Sequence, residues 1–146
     1  MLIASINRTQ MTVKNDIVLW DNGIDKFCLL KAPNEQLYKF IDGIPCITFG
    51  ISYENTSFKG YDTFTLFDHF YSNIVNEIES TYTSLNGSFR IYDVGADTDG
   101  YIELVMTNGK LSVKGQLGAS FSSHSLMFEF EADQTLVGNL LQEITF

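Results

Sequence analysis

The sequence has little of what chemistry usually requires. Among 146 residues there are two histidines, two cysteines, one tryptophan and two prolines. Cys28 and Cys46 form no C-x-x-C pair, and no His/Cys cluster has zinc spacing. There is no Walker loop, no G-x-G-x-x-G and no G-x-S-x-G elbow to expose a nucleophile. Catalytic, cofactor and metal residues are therefore all expected to be lacking. Cations are scarce as well: 9 Lys and Arg face 18 Asp and Glu, for a net charge of −9. A field of that sign repels phosphate backbones, which disfavours direct nucleic-acid binding. It steers basic partners inward instead, although plain solubility is served by the same charge.

Long apolar runs are missing too. No stretch approaches the roughly 18 residues that a membrane span needs. The stretch from Met1 to Arg8 lacks the basic region and apolar core of a secretory signal. The expectation is a cytoplasmic protein without a membrane, whose two cysteines stay reduced. Each lies in an apolar run, Phe27-Cys28-Leu29 and Pro45-Cys46-Ile47, and reads as a small buried hydrophobe.

What is present is a globular composition, 45% apolar and 14% aromatic. A chain of this length buries roughly 68–70% of the surface it would expose unfolded. With no repeat, low-complexity tract or linker, residues 1–146 read as one domain. Residues 1–46 are the least legible. Ile17–Trp20 and Phe27–Lys31 are short strand candidates, and Glu35–Ile41 fits a helical turn or a strand. From Ile47 to Tyr53 and from Phe58 to Thr65 the pattern alternates with period two, as half-buried strands do.

The period then changes. Phe67, Phe70, Tyr71, Ile74, Val75, Ile78, Tyr82 and Leu85 recur at three and four, one face of an amphipathic helix. Asp68 suits its N-cap, and Asn86-Gly87 suits its end. Four strands follow, over Ser88–Val94, Tyr101–Thr107, Lys110–Gly118 and Ser125–Ala132. Asn108-Gly109 marks a tight hairpin between the middle two. Asp133 caps a last helix whose apolar face is Leu136, Val137, Leu140, Leu141 and Ile144. The fold class expected is α+β, an antiparallel sheet of hairpin-connected strands with both helices packed on one side.

The acids cluster late. After Arg90 only Lys110 and Lys114 stand against eight acids. Asp93, Asp97, Asp99, Gly100 and Glu103 resemble a calcium loop in part. With Gly100 at the required sixth place, the first and twelfth ligands fall on Gly95 and Met106, so a turn is the better reading. Glu129, Glu131 and Asp133 share one face of their strand with Met127. Asp93, Asp97, Asp99, Glu103, Glu129 and Glu131 are thus the candidate partner-binding residues.

The stretch Phe128-Glu129-Phe130-Glu131-Ala132-Asp133-Gln134-Thr135 resembles the closing strand and helix of the WapI-like immunity proteins. Phe58-Lys59-Gly60, Asp68-His69-Phe70, the Tyr82–Gly87 helix ending and the Asn108–Gly115 hairpin resemble further family segments in the same order. The likeness covers about residues 47–146. Lys110 stands where the family usually has His, and Gly138 where a larger residue is common. The resemblance implies the antidote of a bacterial toxin–immunity pair, which binds and blocks a toxin domain, often a basic nuclease. Two other readings remain. One is a non-enzymatic binding module for a small ligand or another protein, with Phe70, Tyr71 and Phe128 lining a cavity. The other is an enzyme of unrecognised type using His124 and the serines around it.

Overall fold

The computed structural model describes residues 16–30, 38–93, 98–121 and 124–144. The described residues form nine strands: β1 (Asp16–Asp21), β2 (Lys26–Leu30), β3 (Tyr38–Ile41), β4 (Ile44–Glu54), β5 (Lys59–Phe67), β6 (Gly87–Tyr92), β7 (Tyr101–Thr107), β8 (Lys110–Leu117) and β9 (Leu126–Asp133). The two segments with helical spacing become α1 (Asp68–Ser84) and α2 (Gln134–Ile144). The fold class is α+β and every strand pairing is antiparallel. Of the ambiguous stretch Glu35–Ile41, Tyr38–Ile41 is strand, and its first residues lie outside the described ones.

The strands divide into two sheets instead of the one expected. The first is built on the long strand β4. It pairs with β5 along one edge and, along the other, with β3 at Ile44–Ile47 and β2 at Gly50–Glu54, and β1 then adds to β2. The second is the meander β6-β7-β8-β9. Alternation reports which residues share a face, and it says nothing about which sheet a strand joins.

The inner faces meet through aromatic rings. Tyr53 of β4 stacks on Phe128 and Phe130 of β9 at 4.7 and 5.3 Å, and Phe27 of β2 lies 5.5 Å from Phe130. These rings join Leu29, Ile51, Phe64, Leu104 and Val113 in one continuous core. Cys28 and Cys46 are free and buried, and burial pushes the Cys28 thiol above its ordinary range.

The helices complete the core. α2 buries Leu136, Val137, Leu140 and Ile144, and the Asp133 carboxylate accepts from the Thr135 N–H at 2.8 Å, the cap expected of it. α1 departs from expectation at both ends. Its cap position falls on Phe67, which supplies no side-chain bond, and Asp68 is already helical. Its terminal left-handed residue is Leu85 at φ 60°, ahead of Gly87. Leu85 holds that conformation with its own N–H on the Thr81 carbonyl and its carbonyl on the Gly109 N–H. The buried stripe narrows to Ile74, Ile78 and Thr81, while Phe70, Tyr82 and Leu85 stay partly in solvent. Tyr82 instead lies against α2, where a Cβ at Gly138 would come within 2.8 Å of its ring. A larger residue at Gly138 would have to displace that ring.

Strand β5 fixes how the sheets are joined. Gly60 is pressed on Leu126 at the start of β9, Asp62 reaches Gly118 just beyond β8, and the Thr65 N–H meets Asp93 just beyond β6. These three points lie at one end of the second sheet. β5 therefore runs across the strand ends of that sheet rather than alongside them. Within that sheet β8 approaches β7 closely: a Cβ at Gly115 would sit 2.2 Å from the Tyr101 carbonyl oxygen and 3.2 Å from Ile102 Cα, both of them backbone atoms. Gly115→Ala is therefore expected to lower unfolding free energy by about 2 kcal/mol or more, read as a shift in urea midpoint at unchanged slope.

Candidate functional site

The outer face of the second sheet is built by register. β6, β7, β8 and β9 align Tyr92, Tyr101, Gln116 and Met127 in one row across the sheet. The next row reads Arg90, Glu103, Lys114 and Glu129, and the third reads Ser88, Val105, Ser112 and Glu131. Lys110 faces Asp133 beyond them. Three expected residues, Glu103, Glu129 and Glu131, thus share this face.

Their charges are not equally available. Glu103 is flanked by cations, with Lys114 Nζ at 3.6 Å and Arg90 Nη1 at 3.9 Å. Arg90 also lies 4.2 Å over the Tyr101 ring. Lys114 is drawn toward Glu103 although Glu129 stands opposite it on β9. Glu129 and Glu131 are exposed and form no ion pair with a described residue. The uncompensated negative charge of this face is therefore concentrated on its edge strand.

The expected aspartates serve elsewhere. Asp93 accepts from the Thr65 N–H at 2.7 Å, which ties the end of β6 to β5. Asp99 accepts from the Ser120 N–H at 2.7 Å, from the Ser120 hydroxyl and from Gln116 Nε2 at 3.0 Å. The Ser120 hydroxyl and then the Ser120 N–H hold its carboxyl below the usual range. Asp97 lies outside the described residues.

The acid that the sequence reading passed over is Asp62. Its Oδ2 accepts from the Thr98 hydroxyl at 2.8 Å and the Gly118 N–H at 2.9 Å, and its Oδ1 accepts from the Thr63 N–H at 2.8 Å. The signal was available, since Asp62 alternates in phase with buried Phe64 and Leu66. A carboxylate on a core-facing position needs donors.

A groove of about 650 Å³ runs beside this junction, lined by Phe58–Thr63 on one side and by Leu117, His124, Ser125 and Leu126 on the other. None of the three aromatics expected to line one cavity borders this groove, and each makes a different contact. Phe70 packs edge-on to Tyr92, the Tyr71 hydroxyl donates to the Ile144 carbonyl, and Phe128 belongs to the core stack. His124 borders the groove beside Ser125, whereas Ser120 is committed to Asp99. Ser122 and Ser123 lie outside the described residues. Among the described residues no group of three or more His, Cys, Asp or Glu is placed to hold a metal ion, and no helix is long and apolar enough to cross a membrane.

Compared with protein-family models, curated proteins and solved structures, the chain matches none.

Removing the Asp62 carboxylate strands donors in a half-buried junction. Asp62→Ala is expected to cost about 2 kcal/mol, measured by chemical denaturation. Asp99 yields a test by pH. Its folded pKa is depressed, so its contribution to stability is present above the unfolded value near 3.8 and is lost as pH falls through the folded value. Ser120→Ala is expected to raise the Asp99 pKa toward its ordinary value, seen by carboxyl NMR titration. An unmoved titration would deny Ser120 that role.

Proposed function

We propose that this chain is a cytoplasmic immunity protein of the WapI-like kind, which binds the toxin domain of a bacterial competition system and neutralises it without turnover. The observation that carries this reading is the pair of carboxylates, Glu129 and Glu131, which make no ion pair with a described residue and lie on the exposed edge strand of an otherwise charge-matched sheet face. A sheet holds such groups in fixed positions. Nuclease domains bind phosphate backbones and are often basic, and complementary charge speeds association with a basic domain and helps cover a phosphate-binding site. The ordered resemblance over residues 47–146 supports the choice of partner class. The groove beside Phe58 and Tyr61 supports the alternative, a non-enzymatic module for a small ligand or another protein.

The test is a titration against the C-terminal toxin domain encoded immediately upstream, following binding and toxin activity together. Nanomolar affinity, about −12 kcal/mol, with loss of toxin activity is expected. Glu129→Lys/Glu131→Lys is expected to slow association about tenfold at low salt and to weaken its salt dependence. Unchanged association would remove this surface from the interface, and a toxin left active would overturn the function.

A further inference from the structure

Sheet edges leave backbone N–H and C=O groups without strand partners, and proteins usually cover them. On two edges of the first sheet side chains take up some of these groups. On β1 the Leu19 carbonyl accepts from Asn139 of α2 at 3.0 Å. On β5 the N–H groups of Thr63 and Thr65 are taken by the carboxylates of Asp62 and Asp93. β9 differs. It ends its sheet, and among the described residues no strand, helix or side chain hydrogen-bonds its outer edge. It is eight residues long, contains no Pro, Gly or Lys, and keeps one register with β8 throughout. Its side chains on the outer face are Met127, Glu129, Glu131 and Asp133.

A second copy of the chain fits this edge poorly in the registers that overlap most of β9. Antiparallel self-pairing centred on Phe130 sets Glu129 against Glu131, and centring it on either glutamate sets that residue against itself. Like charges directly opposite destabilise a strand pair. The row Arg90, Glu103, Lys114, Glu129 alternates in sign across four strands and stops on an unpaired anion. The complement at the next strand position is a cation.

We infer that β9 takes up an extended segment of a basic protein as an added strand of the second sheet. That segment carries basic residues two apart, opposite Glu129 and Glu131, and an apolar residue opposite Met127. Backbone bonds along the edge supply affinity and the alternate side chains supply selection. This deepens the proposed function by stating how the basic partner is gripped.

The probe is a short capped peptide with two lysines two positions apart to face Glu129 and Glu131, valine two positions further on to face Met127, and threonine or valine between. Its controls are a peptide of the same composition with the lysines contiguous, and the alternating peptide N-methylated throughout, which keeps the charge but cannot donate backbone hydrogen bonds. Binding is followed by amide NMR shifts and amide hydrogen exchange of the intact protein. The alternating peptide is expected to shift and protect the amides of Met127–Asp133 and to bind at least tenfold tighter than either control. Glu129→Lys/Glu131→Lys should abolish that preference. Both positions are exposed, and an unchanged spectrum away from β9 verifies the variant's fold. Equal binding of all three peptides, or no change in β9 amides at millimolar peptide, overturns the proposal. So does protection of β9 that grows with protein concentration alone, which would assign the edge to a second copy. No toxin domain enters this experiment, so its failure is separable from failure of the neutralisation reading.

Discussion

The carboxylate of Asp62 sits where the two sheets have to be joined. β5 belongs to the first sheet by its pairing with β4, yet it lies across the strand ends of the second. Backbone groups at such a crossing have no ladder to enter, and burying them unpaired would be costly. Asp62 resolves this with three accepted bonds, and Asp93 repeats the solution one strand further along. Gly100 shows how tight the junction is, because a Cβ there would come within 2.3 Å of Asp62 Oδ2. The aromatic stack of Phe27, Tyr53, Phe128 and Phe130 can form only with the sheets held in this relation.

Much of the chain's acidity is thus spent on hydrogen bonds and ion pairs within the protein. Asp62, Asp93, Asp99 and Asp133 each accept from backbone N–H groups, at the sheet junction, at a loop and at a helix start. Glu103 is flanked by two cations. A net charge of −9 says how many carboxylates there are, and the fold decides which of them a partner meets. Glu129 and Glu131 remain because β9 is the last strand of its sheet and has a cationic strand on one side alone.

The sequence was legible where a local rule decides the structure. Asn108 and Gly109 both have positive φ, as the tight turn between β7 and β8 demands, and both strands begin and end there as the pattern indicates. Asp133 caps α2 because a cap needs only the N–H groups of the next turn. Legibility failed where distant contacts decide. Leu85 takes the left-handed position at the end of α1 through its bond to Gly109, which no local preference reveals. The division into two sheets rests on pairing across long sequence gaps. The candidate site was half legible: alternation placed Glu129 and Glu131 on one face, but not that Lys114 leans toward Glu103 or that the edge of β9 stays uncovered.

The bond from Asn139 to the Leu19 carbonyl spans 120 residues of chain. At a synthesis rate of roughly 5–20 residues per second, that separation amounts to roughly 6–24 s on the ribosome. Throughout that interval β1 exists without the helix that covers its edge, while the whole β6–β9 meander, with its short-range pairings, is made and able to form. The nascent chain is therefore most open to wrong pairing at its earliest described strand, and release of the last helix ends that exposure.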